Sequence, residues 1–533
     1  MHRAARMEWF LLALRAGRAS VPLSSHAAAS WRLVSALIAA LCVTANAGLA
    51  AADTELELVP AVFSYTQPAQ ENRGRALLEI AGVYTVGFTF FLATNKLLPA
   101  YDVGYSWPVF RKKLLGEGLE LDLNGLNTNF VGHPAGGSMY YTMARSNQLN
   151  IAESTAFAIG GSLLWELFGE VREFISINDM IVTPLAGVAI AEPLLQLGAF
   201  FDRSSPALHN RILGAVFAPV KALNDALDGR TLARATTQDA YGFPSNEYHR
   251  FDLRLGAAAT LQSALADGPS GRRSFESRLS LASYLVRLPS YDGVGRHARW
   301  FADGNLSSIR IDAGLNGTGL VDFDLRTYVA LAGVYARHAS RAADGGVRGQ
   351  GTVVAWTVGF QYALHDHDRD RRWPRERIAS VQPLGLLMEQ RIAWGALRWV
   401  VHVEGGLSFG GARPYALPAY TERADAVMLT QLVEDNRYAF VRGAHVLAAI
   451  SLALNQLELA GSARYESYDG IDVPVAIRDD LLLLQARTSL ALGASPVRLS
   501  LLLQRRARAG HMGAAQASRA DTSVALELGA HYE

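Results

Sequence analysis

A chain of 533 residues with a single cysteine has no disulfide framework to stand on. An excess of either charge is also missing, because Lys plus Arg number 50 and Asp plus Glu 49, a formal net charge of +1. That balance gives no general attraction for a phosphate backbone, so nucleic acid is excluded as a partner. The GxGxxG and Walker patterns are absent and no cofactor is expected. What is present is a half-hydrophobic chain, too long for one ordinary domain, which predicts at least two parts.

The lone Cys42 lies in WRLVSALIAALCVTANAGLAAAD, where Arg32 precedes a short apolar run that ends in the A-x-A cleavage pattern Ala45-Asn46-Ala47. Residues 1–47 therefore read as a secretory signal peptide with an extended or misassigned N-terminus. Leu41 before Cys42 argues against a lipoprotein, so the mature chain has no cysteine. Residues 48–74 read as a linker.

From about Tyr248 the dominant period is two. In VDFDLRTYVAL, Val321, Phe323, Leu325, Val329 and Leu331 point one way, and Asp322, Asp324, Arg326 and Tyr328 the other. RWVVHVEGGLSF, VRLSLLLQRR and TSVALELGAHY repeat the split. A soluble sandwich also alternates, so strand length and loop rhythm carry the choice. Many runs reach the nine to eleven residues, roughly, that cross a hydrocarbon layer at a tilt. Connections are short at Trp394-Gly395, Asn455-Gln456 and Gly493 to Pro496. They read as long at GARPYALPAYTERADAVMLTQLVEDN, YDGIDVPVAIRDD and RARAGHMGAAQASRAD. Residues 236–533 are thus expected to form an outer-membrane β-barrel of about twelve antiparallel strands, with long loops outside and the last strand ending in the periplasm. NGTG breaks the rhythm, being short where a long loop is due. The inner face, including Asp322, Asp324, Arg326, Arg398, His402 and Glu404, predicts a salt-bridged plug rather than an open pore.

Residues 75–235 read as an apolar helical domain. Its segments ALLEIAGVYTVGFTFFLA, IAESTAFAIGGSLLWELFGEVREF and PLAGVAIAEPLLQLGAFF carry helical starts: Asn150 with Glu153 as a capping box, and Thr183 with Pro184 as N-cap and first residue. Pro193 removes the donor for the Ala189 carbonyl. The segments are not read as inner-membrane spans. In the first, nine Leu, Ile, Val and Phe residues at roughly −0.3 to −0.6 kcal/mol each are set against a charge, Glu79, that costs about 2.5 to 3.5 at a helix centre. Each segment carries such a carboxylate (Glu79, Glu166 or Glu192) together with small residues suited to close helix contact.

The densest local chemistry is NFVGHPAGGSMYYTMAR, Asn129 to Arg145. Together with LLWELFGEVREFISINDMIVTPLAGVAIAEPL and APVKALNDALDGR it resembles, over about Asp122 to Arg230, a bacterial family catalogued as domain of unknown function 3943. The resemblance implies a cell-envelope protein and carries no activity. From the residues themselves, His133, Glu166, Glu170 and Asp179 are the candidate catalytic groups; Glu166 and Glu170 lie one helical turn apart. Tyr140, Tyr141, Arg145 and Glu192 are candidate ligand-binding groups. A His with two carboxylates suits a metal in principle, but no metal site is assigned. The plainer reading makes His133-Pro134 a turn, Ser138 a helix cap and Arg145 the partner of Glu166 or Glu170. GLSFG (Gly406 to Gly410) lacks the helix that a nucleophile elbow needs.

These readings predict a Gram-negative outer-membrane barrel with its helical domain facing the periplasm. Its role would be non-enzymatic, in envelope transport, lipid handling or assembly. Outer-membrane lipid and, for insertion, the barrel assembly machinery are the expected partners. One alternative is a membrane-embedded hydrolase of lipid or envelope polymer, using His133 with Glu166 or Glu170. Another is an adhesin using the Gly411 to Asn436 loop.

Overall fold

The computed structural model describes residues 57–58, 63–67, 70–97, 107–122, 124–170, 174–262, 272–291, 293–342, 346–366, 376–423 and 438–533. The expected signal peptide lies outside these residues, as does much of the expected linker. Helices run α1 Arg73–Leu97, α2 Trp107–Leu114, α3 His133–Ser146, α4 Ile151–Leu164, α5 Ile177–Arg203, α6 Leu208–Phe217 and α7 Pro219–Leu227, with a short α8 Leu417–Thr421 between strands. The long strands are β1 Glu247–Gln262, β2 Arg272–Pro289, β3 Gly295–Ala302, β4 Leu306–Asn316, β5 Gly319–Arg341, β6 Val347–His365, β7 Glu376–Trp394, β8 Leu397–Ala412, β9 Ala439–Leu454, β10 Leu457–Gly470, β11 Ile477–Ala491, β12 Val497–Met512 and β13 Ala515–Tyr532.

Twelve of these strands close a ring in chain order, and β13 seals it against β1 with Leu528 opposite Leu255. β3 stands aside from the ring. It and β4 both run antiparallel to β5, β3 along residues 332–339 and β4 along 319–329, and the interruption between them is Asp303-Gly304-Asn305. The far edge of β3 pairs in parallel with Glu57-Leu58 instead of β2, so the wall forks here.

Two expected loops prove shorter. RARAGHMGAAQASRAD is almost all strand, with β12 and β13 joined by a tight turn at Gly513 (φ +55°). Its outward residues, among them Ala507, Ala509, Gln516 and Ser518, are small or polar, so the apolar alternation fades while the hydrogen-bonded ladder continues. YDGIDVPVAIRDD likewise narrows to residues 471–476. The short NGTG turn is real, and it follows the forked strand that upset the expected rhythm.

Which face of the wall is the lumen is settled by contacts between distant strands. Asp324 on β5 meets Arg464 on β10 at 2.9 Å, Gln361 on β6 meets Glu466 on β10 at 3.1 Å, and Glu376 on β7 meets Arg508 on β12 at 2.7 Å. Only side chains pointing inward can meet across the ring. At the short-turn end, Tyr248, Tyr284, Tyr291 and Tyr335 fill the lumen, with the Arg391 guanidinium 3.7 Å from the Tyr248 ring centre. At the other end Tyr415, Leu417 and Tyr420 fold over the mouth, and Asp479 accepts the Tyr415 N–H at 3.1 Å. A chamber of about 230 Å³, lined by groups such as Arg310, Arg326, His402 and Glu404, remains between the two stoppers.

The helices occupy the other face. Leu325, Val358, Phe360, Ala379 and Val381 alternate with the lumen residues, so they point outward, and they form one apolar cluster with Val182, Ala186 and Ala189 of α5. Farther along, Phe200 and Phe201 of α5 pack with Leu285 and Phe251 near the short-turn end. The 27-residue α5 therefore lies slantwise on the outside of the barrel. The other helices build on it: α3 crosses it where Gly137 and Gly187 meet backbone to backbone, and a Cβ on Gly187 would stand 2.4 Å from the Gly137 carbonyl carbon. The Asn150–Glu153 capping box starts α4 as expected. α5, by contrast, begins at Ile177 with Ser176 as its N-cap, so Thr183 and Pro184 lie inside it. The earlier start leaves the Met180 carbonyl without an N–H at Pro184, and the helix runs on through this lost bond because the neighbouring turns hold it.

Candidate functional site

Three arrangements gather the polar groups of the helical part. In the first, Arg145 on α3 and Glu192 on α5 form a buried ion pair, with Nε to Oε2 at 3.0 Å and Nη2 to Oε1 at 3.1 Å. The Tyr141 hydroxyl donates to Glu192 at 2.7 Å. Arg145 also reaches the fork in the wall, donating to the Asp303 carbonyl at 3.0 Å and pairing with its carboxylate at 2.9 Å. Asp303 in turn accepts the Ile151 N–H at 2.9 Å, and Gln196 donates to the Gly304 carbonyl. The fork residues Asp303 (φ +61°) and Gly304 (φ +75°) turn their backbone toward the helices. This is a latch between helices and wall, with the polar atoms of Tyr141, Arg145 and Glu192 bonded within the protein. Arg145 does not pair with Glu166 or Glu170, since α3 delivers it to the fork. Tyr140 stacks on Tyr84, ring centres 5.3 Å apart. Ser138 caps nothing: it sits within α3 and donates to the Pro134 carbonyl at 2.8 Å.

The second arrangement surrounds Glu166, in a π-helical turn (Trp165–Gly169) after α4. Its carboxyl accepts the Ser176 N–H at 2.8 Å, and Lys113 donates to the carbonyls of Glu166 and Glu170. Glu170 accepts the Trp165 indole N–H at 3.2 Å. Neither glutamate is brought to His133.

His133 instead stands with Asp179 and Asp122. Its Nε2 lies 3.7 Å from the Asp179 carboxylate, and one ligand atom from each of the three residues falls within 4.8 Å of the others. A buried turn precedes it: Asn129, one helical turn back and fully buried, donates to the Tyr438 hydroxyl at 2.7 Å beside the start of β9. Burial holds the His133 imidazole below its ordinary pKa, against the opposing pull of Asp122. Asp122 and Asn129 were not among the sequence candidates, although the Asn-rich DLNGLNTN before the quoted stretch is a recognisable turn signal.

Between α3, α5, the α6–α7 junction and the outward faces of β5 and β6 runs a groove of about 840 Å³. Its lining is apolar, with Val131, Met139, Leu194, Phe323, Phe360 and Leu364 among the contributors. At one end the Tyr362 hydroxyl donates to Asn127 at 3.0 Å.

Residues 118–220 match the family described as Domain of unknown function (DUF3943). The matching segment thus spans α3 to α6 and contains the three polar arrangements apart from Lys113 and the wall residues. No curated protein matches the chain. Among solved structures, an anion-selective porin from Comamonas acidovorans aligns at 9% identity over 54% of this chain and 99% of that one, with a TM-score of 0.21. OmpT of Vibrio cholerae aligns at 10% over 56% and 100%, TM-score 0.21, and the translocator domain of the autotransporter NalP from Neisseria meningitidis at 10% over 53% and 88%, TM-score 0.19. The chain's own strand pairing closes a twelve-strand antiparallel β-barrel, and the helices beside it include the segment that matches DUF3943.

Proposed function

We propose that this protein is a closed outer-membrane barrel whose working surface is its flank, where the DUF3943 helices and the wall hold a lipid acyl chain. The groove between them carries the reading. It is long, apolar and bounded on one side by the same outward face that elsewhere meets lipid. The blocked lumen argues against diffusion of solutes through the barrel, since tyrosines close one end and Tyr415, Leu417 and Tyr420 cover the other. With the short-turn end in the periplasm, α5 descends along the wall from the long-loop rim toward the periplasmic side. Its neighbours expose Leu78, Val86, Ile159, Leu164 and Phe168, a surface suited to hydrocarbon. Helices tolerate that setting because their backbone hydrogen bonds are internal. The helices therefore lie at bilayer depth beside the barrel instead of hanging free in the periplasm.

A phospholipid with a photoreactive acyl chain, incorporated in nanodiscs with the purified protein, tests this reading. Crosslinks should concentrate on groove residues such as Met139 and Leu194, and Ala135→Trp, which fills the groove from its exposed rim, should remove them. Uniform labelling of the whole outer wall, or labelling unchanged by Ala135→Trp, would defeat it.

A further inference from the structure

The cluster at the start of α3 is built for a cation. A separation of 3.7 Å between His133 Nε2 and the Asp179 carboxylate is too long for a hydrogen bond. It is close to the spacing of two atoms that share an ion, because ligands at about 2.1 Å from a tetrahedral centre stand roughly 3.4 Å apart. One ligand atom from each of His133, Asp179 and Asp122 lies within 4.8 Å of the other two, so side-chain shifts of about an ångström would bring the three to that spacing.

Two further observations point the same way. The Nε2 of His133 is buried and, among the described residues, has no hydrogen-bond partner. Asn129 stands beside the cluster, its Nδ2 contacting the Asp122 backbone carbonyl at 3.4 Å and the Tyr438 hydroxyl at 2.7 Å. An orphaned acceptor in a dry setting is costly, and an ion at the cluster would satisfy the His133 nitrogen. The donors of Asp122 are neutral amide groups of Asn124, which leave its charge in place. Asp122 and His133 are partly exposed while Asp179 is buried, so the site has a solvent side and a closed floor.

We propose that His133, Asp122 and Asp179 bind one divalent transition ion with mixed nitrogen and oxygen ligands, of which Zn²⁺ is the type. The ion would tie three pieces of chain together: the turn that carries Asp122, the first residues of α3 and the first turn of α5. All three meet at the long-loop rim beside Tyr438, so the ion would brace the helices against the barrel at the end opposite the Arg145–Glu192 latch.

Full-length protein in detergent, stripped with a chelator, is titrated with Zn²⁺ by calorimetry and with Co²⁺ by visible absorption. One equivalent should bind, with a Co²⁺ spectrum showing nitrogen and oxygen ligands, and His133→Ala and Asp122→Asn should each weaken it at least about tenfold. If His133→Ala loses the gel shift of the folded barrel, Asp122→Asn, a near-isosteric change at a partly exposed position, decides the matter. Absence of saturable binding in the parent protein, equal affinity in Asp122→Asn, or tighter binding of Ca²⁺ than of Zn²⁺ would overturn the assignment.

Discussion

Leu526 on β13 and Phe360 on β6 occupy equivalent places in the wall, each an outward apolar residue beside a polar lumen neighbour, Glu527 or Gln361. Yet Leu526 is 58% exposed and Phe360 only 2%. On the bare half, from β9 through β13 to β1, residues such as Leu459, Leu484, Leu501, Leu528 and Leu255 form an open belt. On the covered half, β5 to β7 present Leu325, Val358, Phe360 and Val381 to α5. Alternation specifies only that one face avoids water. Whether lipid or protein supplies the apolar partner is written elsewhere, in helices whose own faces match that wall and in polar residues that bind its fork.

The comparison breaks most severely if the latch is removed. Arg145→Ala leaves Glu192 buried without its cation and should cost about 3–5 kcal/mol. Hydrogen exchange should then rise across α3, α5 and the Asp303–Asn305 fork while β9 to β13 stay protected. Equal loosening of both halves would mean that helices and wall fold as one unit.

Next in size is a pair of matched truncations. Phe360→Ala opens a cavity under α5 and should lower stability by about 3–5 kcal/mol. Leu526→Ala should cost less than about 1.5 kcal/mol, because mobile acyl chains refill the space. Urea midpoints in the same vesicles measure both, and similar losses would erase the distinction between the halves.

Much of the barrel was legible in the sequence, because each strand carries its own record of which residues meet water. The twelve-strand ring, the charged lumen and the Asn150 cap all follow from local pattern. The fork at Asp303-Gly304-Asn305 did not, since a strand that changes partner midway keeps the same alternation. The starts of α3 and α5 were misplaced for a related reason: tertiary contacts extended both helices past Ser138 and Thr183. His133 and Asp179 were legible as a pair of types, but their neighbours Asp122 and Asn129 depend on a turn whose path only packing defines. The partners of Arg145 were equally hidden, as Asp303 lies 158 residues away in the chain.

The side of the wall on which the helices lie is tested most directly by paired cysteines, introduced into a chain whose one cysteine, Cys42, lies in the expected signal peptide. Ala186→Cys on α5 should crosslink through a short bismaleimide to Phe360→Cys, which faces outward, and not to Gln361→Cys, one residue along and facing the lumen. Crosslinking to Gln361→Cys, or to neither position in protein that retains the folded-barrel gel shift, would contradict a helical domain mounted on the outside of the barrel.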